Sequence, residues 1–482
     1  MAGIVSCGAF VPRLRLGRRA IAEAMGWMGP APASTTGERS LCNWDKDSLT
    51  MAVEAARVAL AAAGHAHVDR LSFASTTFPF ADRANATLVG AALGLGDSLR
   101  TLDVAGSQHA GTGALAQALA ECAVPGAGRA LIVAADRRLA RPGSAQEPRY
   151  GHGAAACVVG PGEGIATLVG SGHLAADFVD HYRTSDGSFD YALEERWVRE
   201  AGWLELVPDA VRPVLGAAGI DAAAIDHLVV AAPPGLGPRL AGELGVRREA
   251  LADPLDSDCG DTGCGHPLLM LAQVLEHASP GAWVLLIGFG QGVDVLLLRT
   301  TTAVAVAPRP GAVTATLARR SEETRYTRFL SHCGLLAVDF GRRAERDNRT
   351  APSVLWRKRE AITAFTGGRC RACGAVQFPP SRICVNPACR QTDTQEPHRL
   401  ADSAGRIKTF TEDWLAYCPR PPLVYGNVEF AEGGNAFIEF TDFEPGEARV
   451  GAPVRFVFRL KDVDRLRGFR RYFWKAAPAG TH

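Results

Sequence analysis

The chain has 482 residues, with 52 Lys plus Arg against 51 Asp plus Glu and a formal net charge of +1. That balance gives no whole-chain electrostatic case for a nucleic acid or an anionic membrane. No run approaches the ~20 apolar residues that a bilayer-spanning helix needs. The opening segment, residues 1–16, lacks a basic head followed by an apolar stretch and a cleavage site, so no signal peptide is expected. The 12 cysteines divide into four within twenty positions and eight that scatter. This usage fits a metal site and buried thiols in a reducing compartment, not a secreted disulfide framework. A cytoplasmic protein of about two to four domains is the expectation.

Residues 1–310 alternate short apolar runs with Ala/Leu-rich stretches. Ile4–Phe10, Leu71–Ala74, Ala130–Ala134, Ala155–Val159, Leu228–Ala232 and Trp283–Phe289 read as strands. Thr50–Ala63, Thr112–Cys122, Pro208–Ala218 and Pro267–His277 carry the 3.6-residue spacing of helices. Such alternation predicts an α/β layered fold with helices covering a largely buried sheet. It also repeats. Residues 50–76 parallel 208–233, residues 103–119 parallel 258–275, and residues 128–136 parallel 281–290, in the same order and at a near-constant offset. A duplicated, pseudo-twofold domain is expected.

Residues 341–362 are rich in charge and read as a linker or bridging helix. Beyond them the Ala-rich helices stop. Arg406–Thr411, Val424–Phe430, Ala436–Thr441 and Val454–Leu460 alternate with turn signals, which predicts a small β-barrel or sandwich.

Cys370-Arg-Ala-Cys373 and Cys384-Val-Asn-Pro-Ala-Cys389 present four thiolates on two adjoining turns, ten residues apart. That spacing suits tetrahedral zinc in a closed, structural site. Unligated cysteines, a disulfide or an iron–sulfur cluster are the alternatives. The aromatic and basic interleaving used for single-stranded nucleic acid is thin.

Four stretches carry a resemblance: GIVSCGAFVPRLRL, DKDSLTMAVEAARVAL, RPGSAQEPRYGHGAAA and LLIGFGQGVD. With these the first 340 residues resemble the thiolase superfamily, in its hydroxymethylglutaryl-CoA synthase branch, which is related to ketoacyl synthase III. CRACGAVQFPPSRIC and GRIKTFTEDWLA resemble the zinc-ribbon/OB-fold proteins that accompany acyl-CoA thiolases. The resemblance implies a duplicated five-layer α/β/α/β/α domain over 1–340, with halves at about 1–165 and 205–310. A zinc ribbon over 363–398 and a small OB-fold β-barrel over 399–478 would follow. It also implies a CoA or carrier-bound acyl thioester as substrate, structural zinc, a homodimer, and a possible partner thiolase bridged by the OB-fold.

The branch condenses acyl-CoA through a cysteine at a strand-to-helix bend, where a helix N-terminus lowers the thiol pKa. A Glu removes the α-proton, and a His and an Asn assist. Here the bend reads Gly106-Ser107-Gln108-His109-Ala110-Gly111-Thr112, which places Gln108 at the nucleophile position with Ser107 one residue off. Thr76 stands at the Glu position, Ala231 at the His position and Asp261 at the Asn position. Condensation through an acyl-enzyme is therefore disfavoured. Aldol, retro-aldol or decarboxylative chemistry needs only enolate stabilisation and a base. The resemblance supplies precedents for both: cysteine-free thiolase-like retro-aldolases, and ketosynthases in which Gln replaces the cysteine. The alternatives are a catalytically silent acyl-CoA-binding scaffold and, as the lesser one, nucleic-acid binding by the OB-fold.

Replacement groups come from the remaining polar residues of both halves and of the lid. His109, His152 and His266 sit in Gly-rich turns, and Cys264 aligns with Gln108 in the repeat but reads as a buried thiol. His181, Tyr182, Asp190 and Tyr191 concentrate acids, bases and phenols where the branch keeps a lid. Arg196 and Arg239 are candidates for CoA phosphates, without a phosphate-cradling motif.

Overall fold

The computed structural model describes residues 1–29, 35–192, 194–308, 313–346 and 351–480. The chain divides into two compact units. One holds Met1–Asn43, Asp47–Gly90 and Asp97–Cys333; the other holds Trp44–Lys46, Ala91–Gly96 and Gly334–His482.

The first unit is built on a nine-stranded sheet. Its strands in chain order are β1 (Ala2–Phe10), β2 (Arg70–Ala74), β3 (Arg100–Val104), β4 (Ala130–Arg137), β5 (His152–Pro161), β6 (Ala166–Ala175), β7 (His227–Val230), β8 (Trp283–Phe289) and β9 (Gly292–Thr300). The spatial order is β3-β2-β4-β5-β1-β6-β9-β8-β7. In the first half β2 runs parallel to β4, β4 antiparallel to β5, and β5 antiparallel to β1. The second half repeats this: β7 is parallel to β8, β8 antiparallel to β9, and β9 antiparallel to β6. Within the sheet the two halves are joined by the pairs Gly3 with Thr167 and Ile4 with Ala166. The duplication expected from the three sequence parallels is thus a repeated pairing order.

Helix α1 (Ser48–Ala62) covers β1 and β5, and α3 (Val207–Ala218) covers β6 and β9 on the other half. Between the half-sheets lie α2 (Ala110–Cys122) and α4 (His266–His277), each packed on strands of both halves. The result is five layers, α/β/α/β/α. The central layer turns a broad apolar face to both half-sheets: Leu115, Leu119, Leu268, Leu271 and Leu275 join Ile132, Val159, Leu286 and Leu296 in one core. Close approach is bought with small residues. A Cβ on Gly8 would lie 2.4 Å from the Ala55 carbonyl oxygen of α1, and one on Gly111 would lie 2.3 Å from the Cys264 carbonyl oxygen. The second contact presses the two repeat-related bends together. Helix α1 starts at a capping box, in which the Asp47 carboxylate accepts from the Thr50 N–H and the Asp47 N–H donates to the Thr50 hydroxyl.

In the second unit, Val376–Gln377, Thr366–Cys370 and Gln395–Arg399 form a three-stranded sheet. A five-stranded antiparallel sheet follows, in the order Asn435–Glu439, Leu423–Phe430, Gly405–Asp413, Pro453–Asp464, Phe469–Pro478. Alternate residues of Leu423–Phe430 are buried, as a strand with one solvated face requires. Phe365, Phe430, Phe456 and Trp474 fill the core beneath. The expected closed barrel is not formed by continuous ladders among the described residues: a single bridge, Phe440 to Ala476, joins the two edges. Of the charge-rich stretch 341–362, Pro352–Arg357 and Arg359–Ile362 are short helices, and residues 347–350 lie outside the described residues, as do 309–310 at the end of the second sequence half.

Candidate functional site

The first unit encloses a cavity of about 700 Å³. Its lining brings together three of the four positions singled out at the bend and turns: Gln108, Ala231 and Asp261. The fourth, Thr76, is in reach of the first, since the Gln108 amide N–H points to the Thr76 hydroxyl at 3.5 Å. These residues follow β3, β7 and β2, or precede α4, so the duplicated topology delivers the strand ends of both halves to one place. Trp203 and Phe289, with ring centroids 4.2 Å apart, form an apolar wall.

Gln108 lies two residues before α2, whose N-cap is His109. Ser107 does not aim into the cavity: its hydroxyl donates to the Gly290 carbonyl and accepts from the His109 N–H at 3.2 Å. The thiol that the repeat pairs with Gln108, Cys264, is fully buried and contacts the Ala74 carbonyl oxygen at 3.5 Å. Burial, with Asp136 beside it, pushes this thiol well above its ordinary pKa, so it stays protonated and unreactive. Thr76 is held by the buried Asp136 carboxylate, which accepts from the Thr76 N–H at 2.8 Å and the Thr76 hydroxyl at 3.0 Å, and also from Ser75, Thr77 and the Cys264 N–H.

The expected histidines separate into three kinds. His152 is fully buried, accepts from the Cys42 N–H through Nδ1 at 2.9 Å and donates through Nε2 to the Arg138 carbonyl at 3.1 Å. Burial holds it well below the usual histidine pKa, helped by Arg39 and Arg137, so it is a neutral structural ring that does not line the cavity. His109 is paired through Nδ1 with Asp294 at 2.9 Å, and Thr112 donates to the same carboxylate at 3.0 Å; it stands at the N-cap position of α2 without a side-chain cap bond and is likewise not in the lining. His266 lines the cavity, but Nδ1 accepts from Thr262 and Nε2 donates to the Pro254 carbonyl at 2.8 Å.

His181 differs. It lines the cavity next to Asp180, whose carboxylate holds Nδ1 at 2.7 Å and leaves Nε2 without a partner among the described residues. The other Asp180 oxygen is buried and unpaired. The Gln291 amide donates to the His181 carbonyl at 2.8 Å, and the adjoining Gly290 receives the Ser107 hydroxyl. One short loop therefore ties the His–Asp pair to the Gln108 bend.

Asp190, also expected as an acid or base, is buried in an ion network. Arg138 donates to it at 2.8 Å and to Asp261 at 2.6 Å, while Arg183 reaches Asp190 at 2.5 Å. The Arg138 guanidinium lies 3.6 Å from the Tyr150 ring centroid. Burial alone would raise both carboxyls, but Arg138 outweighs it and leaves Asp190 and Asp261 below the ordinary carboxylate range. Neither is a ready proton acceptor. Tyr182 and Tyr191 pair across an isolated bridge, half exposed and outside the lining. Arg239 lines the cavity but holds Glu200 through both guanidinium nitrogens at 2.9 and 3.1 Å; Arg196 is exposed and does not line it. Sequence reasoning passed over Arg138, Arg149 and Asp136. The signal available was Asp136-Arg137-Arg138, three charges closing an otherwise apolar strand.

In the second unit the Sγ atoms of Cys370, Cys373, Cys384 and Cys389 all lie within 4.8 Å of one another. Cys370 and Cys389 are 3.9 Å apart and Cys373 and Cys384 3.5 Å. A tetrahedron with Zn–S bonds of about 2.3 Å has S–S edges of about 3.8 Å. The donor set and its spacing fit zinc. All four positions are filled by protein sulfur, so such a site has no room for substrate.

Residues 363–394 match the family model described as ChsH2, rubredoxin-like zinc ribbon domain. The hydroxymethylglutaryl-CoA synthase of Aeropyrum pernix is 31% identical over 312 residues, covering 63% of this chain and 86% of that protein. The solved structure of MvaS in complex with 3-hydroxy-3-methylglutaryl coenzyme A superposes with a TM-score of 0.63 at 20% identity, over 70% of this chain and 94% of that one. The 3-oxoacyl-(acyl carrier protein) synthase III, FabH, of Pseudomonas aeruginosa PAO1 gives 0.55 at 23% identity, over 62% and 98%. These two likenesses show the thiolase-like fold. No helix among the described residues is long and apolar enough to cross a membrane. On the extent and level of the Aeropyrum likeness, the chain belongs to the hydroxymethylglutaryl-CoA synthase family.

Proposed function

We propose that this protein makes or breaks a carbon–carbon bond in an acyl-CoA, or a carrier-bound acyl thioester, by aldol, retro-aldol or decarboxylative chemistry without an acyl-enzyme. The observation that carries the reading is the pairing at one cavity of a Gln, in the place from which a thiolate would attack, with an oriented His–Asp dyad. An amide cannot form a thioester; it can donate a hydrogen bond.

In the retro-aldol direction, His181 Nε2 takes the proton of a β-hydroxyl, and Asp180 steadies the imidazolium that forms. The Cα–Cβ bond breaks, Cβ becomes a carbonyl, and the electron pair passes into the thioester enolate. The second N–H of Gln108 is the donor for the enolate oxygen. The imidazolium then returns the proton to Cα. Trp203 and Phe289 keep that end of the cavity dry, which strengthens each of these contacts.

The finer assignments go with this reading. The synthase-like domain runs over 1–340, a bridging segment over 341–362, a zinc ribbon over 363–398 and an OB-fold over 399–478. Zinc held by Cys370, Cys373, Cys384 and Cys389 is structural. The protein is cytoplasmic and homodimeric, and the C-terminal module bridges to a partner thiolase. A silent CoA-binding scaffold is the second reading, favoured by the loss of every ionisable group at Gln108, Thr76 and Ala231.

The test is a panel of 3-hydroxyacyl-CoA and malonyl-CoA thioesters incubated with the full chain, with release of the shortened acyl-CoA followed by chromatography. Turnover of one class that His181→Asn abolishes supports the enzyme. CoA binding with no turnover of any member supports the scaffold.

A further inference from the structure

The Asp136 side chain lies fully buried near the end of β4. Its Oδ1 accepts from the Ser75 hydroxyl at 2.9 Å, the Thr76 N–H at 2.8 Å and the Thr77 hydroxyl at 2.8 Å. Its Oδ2 accepts from the Thr76 hydroxyl at 3.0 Å and the Cys264 N–H at 2.9 Å. One carboxylate thus serves both halves of the duplication: the strand end that carries Thr76, and the bend that the repeat pairs with Gln108.

The hydroxyls around it have one way to point. The Ser75 oxygen accepts from the Thr77 N–H at 3.0 Å and the Thr77 oxygen from the Arg137 N–H at 2.9 Å, so both hydroxyl protons go to Asp136. Thr76 also has a single hydroxyl proton, and Oδ2 takes it. What Thr76 offers Gln108 is then a lone pair. An amide carbonyl turned towards it would set oxygen against oxygen, so Gln108 turns its Nε2 to Thr76, at 3.5 Å. The network, not the shape of the amide, decides which end faces the threonine. An amide nitrogen carries two N–H groups, and the second has no hydrogen bond among the described residues. On the other flank the chain leaves little room, since a Cβ on Gly290 would lie 2.9 Å from that of Gln108.

We infer that Thr76, its proton held by Asp136, is the positioning residue for Gln108: it fixes the side-chain amide so that the free N–H, and not the carbonyl, meets the thioester oxygen. The inference rests on the reading of Gln108 as the enolate donor and adds the pair of groups that keeps it a donor. Neither Thr76 nor Asp136 touches the acyl group in this account. Without their link the amide is free to turn over and present its carbonyl, which repels the oxygen it should stabilise.

The experiment is isotope-edited infrared spectroscopy of acetyl-CoA, bearing a heavy-carbon label at the thioester carbonyl, bound to the full chain. A hydrogen bond from Gln108 lowers the carbonyl stretch, so Gln108→Leu should raise it. Thr76→Val should raise it nearly as far, and Thr76→Ser, which keeps the hydroxyl, should restore the wild-type band. Asp136→Ala frees the Thr76 proton to turn towards Gln108 and should act like Thr76→Val; where that variant does not fold, Thr76→Val carries the test alone. Ser75→Ala takes one bond from the same carboxylate without touching Thr76 and should leave the band in place. A wild-type band in Thr76→Val overturns the inference, while a shift in Gln108→Leu keeps the donor reading standing. A Ser75→Ala shift as large as that of Thr76→Val also overturns it, because Asp136 would then be a purely structural anchor. No shift in Gln108→Leu removes the donor reading itself, and no binding of acetyl-CoA by the wild type removes the acyl-CoA reading, each taking the inference with it.

Discussion

Replacing Arg138 by Met removes the one cation shared by Asp190 and Asp261 while keeping most of the apolar volume. The Asp190 side chain is 2% exposed and the Asp261 side chain 41% exposed. Breaking a buried pair from one side costs about 3–5 kcal/mol, because the remaining charge stays desolvated. Asp190 keeps Arg183 at 2.5 Å, and Asp261 can recover water, so the loss belongs near the lower end, about 3 kcal/mol. The sign of its pH dependence follows from the depressed carboxyls. In the wild type their contribution is full above the unfolded carboxylate pKa of about 3.9 and is lost as pH falls through the lower folded values. In the variant, burial without Arg138 favours the protonated acids, so acidification should relieve it. Urea unfolding of wild type and Arg138→Met at pH 7 and pH 4.5 measures both. The expected gap is about 3 kcal/mol at pH 7, narrowing at pH 4.5. A gap under about 1 kcal/mol at pH 7, or one that does not change with pH, would refute the network as a buried, mutually dependent one.

Three further outcomes follow from single groups. His152 is neutral when folded and takes up a proton when unfolded. Its contribution is complete above the ordinary pKa of 6.5 and declines below it, so wild type should lose about 1.4 kcal/mol more than His152→Gln between pH 7.5 and pH 5.5 in urea titrations. Cys384→Ser should lower bound zinc, measured by elemental analysis, to well under one equivalent, and heating should then expose the second unit first to proteolysis. Ala at Gly290 would put a Cβ 2.9 Å from the Gln108 Cβ and 3.0 Å from its backbone nitrogen, so kcat should fall about tenfold or more with little change in melting temperature.

What was legible in the residues was local or repetitive. Four cysteines in two close pairs announce a shared ligand set wherever the chain folds, because the spacing itself brings the sulfurs together. The duplication showed because each half repeats its helix, bend and strand at one offset, and the five layers follow from that periodicity. The positions of Gln108, Thr76, Ala231 and Asp261 could be read from turn motifs, and three of them line one cavity. The electrostatics could not. Arg138 and Asp190 are 52 positions apart and Arg138 and Asp261 are 123, so nothing in the spacing pairs them. The Gly-rich turn holding His152 looked open for the same reason that it is closed: glycines let other backbones approach, and a Cβ on Gly151 would meet the Cys259 carbonyl oxygen at 1.9 Å. Of the lid residues, His181 faces inwards because Asp180 and Gln291 hold it, while Asp190 is consumed by two arginines and the two tyrosines pair with each other.

The central claim is that the chemistry proceeds with no covalent acyl intermediate. Intact-protein mass spectrometry after incubation with acetyl-CoA tests it most directly. The predicted result is an unmodified mass at every time point. A gain of one acetyl group, mapped to Ser107 or to any cysteine, would contradict it.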